Sequence, residues 1–327
     1  MRNKLIGMLL ITILLGGGIV SCGEKEKIVD EDKNLVIRYA YQPSHSQLII
    51  AEELGFFKEE FEKDNITLES KQFAAGPPII EAFAAGELDF GMVGDQPAIQ
   101  GRANNIDLKA IASYSSSEKG NALLATKKSE IKELKDLKGK KIGFTVGSVG
   151  HQLLLIYLKA AGLNKEDVEM VNLSPTDIFT SLKSNNIDAA ITWEPYISMA
   201  AESEDIIVVT DSTGYKYSVN LIVGNSEFLK KYPDVTARLL KVLDKSAKWS
   251  EEHNEESLDL IQKRSGITKE AMRGSFDKYD KDISLNEKRI NSVEDTAKYL
   301  KENNIIRSEV KIEDLVDTSY LEAAGIK

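Results

Sequence analysis

A chain of 327 residues is longer than one ordinary hydrophobic core needs and long enough for two lobes. Its composition, 42% hydrophobic, 29% charged and 7% aromatic, is that of a globular protein and excludes a disordered or membrane-embedded one. A formal net charge of −10 excludes nucleic acid as a partner, which needs a basic footprint, but leaves room for a small anion at a site of oriented amides.

Read in chain order, residues 1–21 form an export leader, in which Arg2 and Lys4 precede an apolar stretch that closes on small residues. Cys22 follows as the only cysteine, so no disulfide awaits it. Residues 22–34 are almost all charged or polar, lack periodicity and read as a flexible tether. Nothing after residue 22 is apolar over a length that would span a bilayer.

From Leu35 onward strand-like runs alternate with helical ones: LVIRYAY, SHSQLIIAEELGFFKEEF, ITLESKQF, PPIIEAFAAGE, LDFGMVG, PAIQGRAN, LKAIASY and ALLAT. Such alternation predicts parallel α/β lobes. Ser44-His45-Ser46-Gln47 fits a capping box, and Ser174-Pro175-Thr176-Asp177 supplies a serine cap, proline at the first helical position and an acid in the first turn. Gly86 and Asn186 stand where helices are expected to stop.

These stops expose an internal repeat. AFAAGELDFGMVGDQP (82–97) and SLKSNNIDAAITWEP (181–195) both run helix, left-handed turn, Leu/Ile-Asp, apolar strand, acid, proline. The first copy delivers Gly94-Asp95 and the second Trp193-Glu194 to the carboxyl end of a strand, where open α/β sheets bind ligands.

Between the copies lies TVGSVGHQLL (145–154), an apolar run that turns into a helix through Gly147, Ser148, Gly150 and His151. Orphan N–H groups and the dipole of a helix start make an anion site without Lys or Arg, and glycines there would let a ligand approach the backbone. Alternatively Ser148 only caps the helix. Gln42-Pro43-Ser44-His45 ends the first strand in the same way, so four polar turns converge as a cleft requires. His45, His151, Asp95 and Glu194 lack the close spacing of a zinc site, and neither a metal nor a cofactor is expected. No nucleophile elbow, phosphate-binding loop or H-E-x-x-H motif is present. From Ser226 the chain is mostly amphipathic helix with solvated faces, and His253, inside EEHNEE, reads as surface.

The strings IIAEELGFFKEEF, FAAGPPIIEAFAAGELDFGMVGDQP, LKDLKGKKIGFTVGSVGHQLL, LKSNNIDAAITWEPY and NLIVGNSEFLKKYPDVTARLL together resemble the solute-binding proteins of ABC importers, in the aliphatic-sulfonate, taurine and nitrate group that includes thiamine-pyrimidine binders. Ile19-Val20-Ser21-Cys22 is similar to the bacterial lipobox, which implies a diacylglycerol on Cys22 and a chain anchored outside the cytoplasm. The resemblance implies a type II periplasmic-binding-protein fold: two α/β lobes with a ligand cleft between them, closing by a hinge. By analogy the crossings fall near 122–126 and 220–224, so that lobe one combines residues 35–123 with 222–327 and lobe two is 124–221.

The resemblance also implies ligand-binding roles for Gln42, His45, Gly94, Asp95, Ser148, His151, Trp193 and Glu194, with no catalytic residue. Amides around Gly94 and Ser148, with the Ser148 hydroxyl, would hold an anionic head and Trp193 an organic tail, while Asp95 and Glu194 would orient donors or meet an amine. The implied partners are a small anionic ligand, a membrane permease and its ATPase, and the implied state is a monomer. A thiamine-precursor pyrimidine or nitrate is the alternative ligand, because two histidines, two acids and a tryptophan also suit a ring-shaped or amine-bearing molecule. An enzyme reading would follow fungal relatives that make the pyrimidine, but these carry a cysteine-rich motif and this chain has only Cys22.

Overall fold

The structure, a computed structural model, describes residues 34–43 and 45–327. The leader, Cys22 and the tether therefore lie outside the described residues, as does Ser44. Among the described residues no helix is long and apolar enough to cross a membrane.

The chain first lays down β1 (Leu35–Tyr41), α1 (Ser46–Glu53), α2 (Phe56–Phe61), β2 (Ile66–Gln72), α3 (Gly76–Ala84), β3 (Phe90–Gly94), α4 (Asp95–Ala103) and β4 (Leu108–Ser117). It then builds β5 (Asn121–Thr126), β6 (Lys141–Phe144), α5 (Val149–Ala160), β7 (Glu169–Asn172), α6 (Pro175–Lys183), β8 (Ala189–Trp193), α7 (Tyr196–Ala201) and β9 (Ile206–Asp211). It returns through β10 (Ser218–Asn225) and ends in α8 (Ser226–Lys231), α9 (Pro233–Glu252), α10 (Asn254–Ser265), α11 (Lys269–Lys278), α12 (Glu287–Glu302), α13 (Ile312–Leu315) and α14 (Ser319–Ala324).

Two five-stranded sheets result, ordered β2-β1-β3-β10-β4 and β7-β6-β8-β5-β9. Their plans match: three parallel strands, then one antiparallel strand inserted fourth, β10 in the first sheet and β5 in the second. The second sheet is buried on both faces, and the two-residue period of a strand sorts its side chains. Leu123 and Ala125 of β5 join a core with Phe144, Leu153 and Ile191, whereas Ala122 and Leu124 join another with Ile178, Leu182 and Ala190. The first sheet carries a larger core that also takes in α9 through Leu239, Leu240 and Leu243.

The repeat read from the sequence is real in space, since α3-β3-α4 and α6-β8-α7 occupy equivalent places in the two sheets. Its shared aspartate has one job in both copies. Asp89 accepts the N–H of Arg38 in β1 at 2.8 Å, and Asp188 accepts the N–H of Lys141 in β6 at 2.8 Å, so each carboxylate ties its strand to the parallel neighbour. The left-handed stop of the second copy is Asn185, at φ 56°, rather than Asn186.

The chain changes sheets earlier than the sequence suggested, within 118–120 and 212–217. ALLAT and NLIVG are not crossings. Every residue of β5 is buried, and Ala122–Ala125 are paired on both sides inside the second sheet, as Asn220–Gly224 of β10 are in the first. His253 is half-buried at the start of α10, its ring stacked on Trp249 at 4.4 Å, because the break between α9 and α10 turns it inward.

Candidate functional site

The carboxyl ends of both sheets face one cleft of about 740 Å³ of atom-free space, which includes part of its mouth. Gln42 follows β1, Gly94 ends β3, Ser148 caps α5, Trp193 ends β8 and Glu194 follows it, and all five line the cleft together with His45. Six of the eight residues expected from the sequence thus converge, although the first and last stand 152 positions apart in the chain.

Asp95 and His151 do not line the cleft. Asp95 turns inward: its Oδ1 accepts the N–H of Gln96 at 2.8 Å, and its Oδ2 accepts Lys216 Nζ at 2.7 Å and Thr296 Oγ1 at 2.9 Å. His151 points along the first turn of α5 against Phe144, ring centroids 5.1 Å apart, and burial lowers its pKa. The two histidines are therefore not neighbours in one site, and among the described residues no cluster of three metal-ligating side chains forms.

The helix start at TVGSVGHQLL is capped by Ser148, whose Oγ accepts the Gly150 N–H at 3.1 Å and donates to the Thr145 carbonyl at 2.7 Å. That hydroxyl proton is committed to the turn, so the donor left for the cleft is the orphan N–H of Val149, a lining residue at the first helical position. The two glycines also serve the chain. Gly147 holds φ +77° and offers its carbonyl to Gln100 Nε2 of α4 at 3.2 Å, and a side chain on Gly150 would meet the Ile191 carbonyl at 2.9 Å.

At the end of β8, Glu194 is sealed from solvent, accepts the Ser198 N–H at 3.1 Å and pairs with Lys278 at the end of α11. Its charge is met within the protein and is not left for a ligand amine. Trp193 stands edge-on to Tyr196, centroids 6.2 Å apart, and keeps part of its surface at the cleft.

His45 is not a capping-box residue. It is the N-cap of α1 but its ring turns back, Nδ1 accepting the N–H of Gln42 at 2.9 Å and Nε2 lying 2.7 Å from Tyr114 Oη. Only 2% of its surface is exposed, and desolvation pushes its pKa down to about 3, so the ring is neutral.

The sequence reading missed most of the wall. Tyr114, Asn121 and Asn220 come from the strands on either side of the two crossings, and Phe276, Tyr279 and Asp280 from α11 and the segment after it. Tyr279 Oη donates to the Gly120 carbonyl at 3.0 Å, an approach that only glycine permits, since a Cβ there would lie 2.1 Å from the Tyr279 ring. Asn121 donates to Ser218 Oγ at 2.8 Å and leaves its Oδ1 buried without a partner among the described residues. Asp280 pairs with the buried Arg289 at 2.6 Å. One signal was legible: SYSSSEKGN places consecutive polar residues in β4 and β5, and the strands bury nearly all of them.

Two sheets of one strand plan, linked by two short crossings and meeting at a polar cleft, define a type II periplasmic-binding-protein fold. The chain belongs to the family described as NMT1/THI5 like, whose pattern matches residues 42–257. It is 31% identical to a putative aliphatic sulfonates-binding protein of Bacillus subtilis, over 99% of this chain and 97% of that protein. Among solved structures it is similar to the periplasmic aliphatic sulphonate binding protein of Escherichia coli, with TM-score 0.76 and 25% identity over 86% of this chain and 97% of that one. The alkanesulfonate-binding protein of Xanthomonas axonopodis pv. citri bound to MOPS shares the fold, with TM-score 0.79 and 22% identity over 86% of this chain and 98% of that one.

Proposed function

We propose that this chain is the extracytoplasmic solute-binding component of an ABC importer, anchored through lipid on Cys22, which captures a small organosulfonate and presents it to a membrane permease driven by an ATPase. It acts as a binding protein and not as an enzyme, with its two lobes divided at the two crossings. The relatives named above support the ligand class.

The observation that carries the reading is the charge state of the cleft. Glu194 is matched by Lys278 and Asp280 by Arg289, while Lys281 lies over the Phe276 ring at 4.1 Å and donates to Asn254 at 3.2 Å. What remains for a ligand is the Lys281 ammonium, which has no carboxylate partner among the described residues, and neutral N–H and O–H donors beside aromatic faces. Such a site suits a singly charged, weakly basic head on an organic tail, which is what an organosulfonate is, and suits a doubly charged phosphate poorly.

The test is thermal unfolding of the chain from Gly23 onward against alkanesulfonates, taurine, nitrate and a thiamine-precursor pyrimidine. Binding to the native state alone adds about 2.7 kcal/mol of stability at a hundredfold excess over Kd. A sulfonate shift that is lost in Trp193→Ala and Ser148→Pro is the expected result. A shift with the pyrimidine alone would overturn the ligand, and no shift with any of them would overturn the site.

A further inference from the structure

The Gln42–His45–Tyr114 chain fixes the direction of every proton in it. A backbone N–H can only donate, so the Gln42 amide, 2.9 Å from His45 Nδ1, requires a lone pair on that nitrogen. A neutral imidazole with Nδ1 unprotonated carries its hydrogen on Nε2. Nε2 is 2.7 Å from Tyr114 Oη, so the phenol oxygen must accept there. Its own proton finds no protein acceptor among the described residues, and Tyr114 lines the cleft.

The backbone of Tyr114 is held as firmly as its hydroxyl. Gln47 Nε2 donates to the Tyr114 carbonyl at 2.6 Å, and the His45 and Tyr114 rings pack with centroids 4.5 Å apart. Beyond His45, the titratable groups that act on the phenol are Tyr279 and Tyr39, both buried phenols held neutral by desolvation.

We infer that Tyr114 is a ligand-contacting hydrogen-bond donor and His45 the positioning residue that sets its direction, so that this wall of the cleft selects ligands presenting an acceptor atom and rejects those presenting an N–H there. The existence of the donor rests on the geometry alone, whereas the assignment of a sulfonate oxygen as its acceptor rests on the function proposed above. Neither residue needs to change charge for the ligand to bind.

Two measurements test this. In the ligand-free chain labelled with nitrogen-15 histidine, His45 should show the Nε2–H tautomer without titrating between about pH 5 and pH 8. An Nδ1–H tautomer, or an imidazolium forming in that range, would overturn the inference. In calorimetry with ethanesulfonate, Tyr114→Phe should weaken binding about tenfold or more. His45→Gln should weaken it too, but should cost nothing further once residue 114 is phenylalanine, a non-additivity that a purely structural role for His45 would not give.

Unchanged affinity in Tyr114→Phe would refute the donor role. If the unaltered chain binds the thiamine-precursor pyrimidine in place of ethanesulfonate, the sulfonate reading fails. The comparison then passes to the pyrimidine, whose ring nitrogens accept, and a loss in Tyr114→Phe there still upholds the donor.

Discussion

Lys216 and Asp95 meet at 2.7 Å with both side chains sealed from solvent, and Thr296 of α12 bonds to each of them. The pair ties the second crossing to the start of α4, so an acid that the sequence offers as a ligand contact is part of the frame. Removing one partner of such a pair strands the other charge in a dry site. Lys216→Met should therefore cost about 3–5 kcal/mol in urea unfolding, and a loss under about 1 kcal/mol would show that water reaches Asp95.

Lys278 and Glu194 form the corresponding contact between α11 and the end of β8, but here the lysine keeps a third of its side chain exposed. Lys278→Met should destabilise by less, about 1–3 kcal/mol, because the Ser198 N–H still faces the carboxylate. α11 also reaches α7 through Thr268 Oγ1, 3.1 Å from Glu202. Loss of the ion pair should therefore loosen the cleft wall and raise the ligand off-rate more than it lowers the on-rate, as stopped-flow displacement would show.

Burial of His45 has a measurable pH signature. Its folded pKa lies below that of the free side chain, so the unfolded chain binds a proton that the folded chain refuses. Stability from this group is fully present above about pH 6.5 and is lost as pH falls toward about 3, at up to about 1.4 kcal/mol per pH unit. Urea midpoints at pH 7, 6 and 5 should fall more steeply in the parent chain than in His45→Gln, and parallel slopes would contradict the burial argument.

Gly120 precedes β5 with the Tyr279 ring pressed on its Cα. In Gly120→Ala the ring must leave, breaking the bond from Tyr279 Oη to the Gly120 carbonyl, at about 1–3 kcal/mol. Tyr279→Ala in the alanine background should recover part of that stability, because the methyl then has room. If the double variant is as unstable as the single one, the strain lies elsewhere.

The parts of the fold that were legible before the structure are those that local chemistry dictates. The cap at Ser174, the Leu/Ile-Asp repeat and the polar turns at strand ends each follow from spacing along the chain, and each stands where the spacing put it. The crossings were misplaced because β5 and β10 are apolar central strands, and apolar runs do not reveal which sheet receives them. Asp95 and His151 stand off the cleft lining for a related reason: adjacency to a site fixes the backbone, while the direction of a side chain depends on a distant partner such as Lys216. Phe276 and Tyr279 were hidden inside a charged amphipathic stretch whose apolar face seemed to need only a core.

The insertion of β10 between β3 and β4 has a consequence for the order of assembly. The second sheet is complete within one continuous stretch, residues 121–211, whereas β3 and β4 cannot be bridged until β10 has emerged about a hundred residues later. During synthesis the second lobe therefore closes its ladders first, while the first lobe holds two strand edges open across a long loop. Loop closure over that separation is slow and leaves backbone edges exposed to other chains. Refolding should accordingly show an early phase read by Trp193 in the second lobe and a later, concentration-sensitive phase read by Trp249 in the helix that packs on the first.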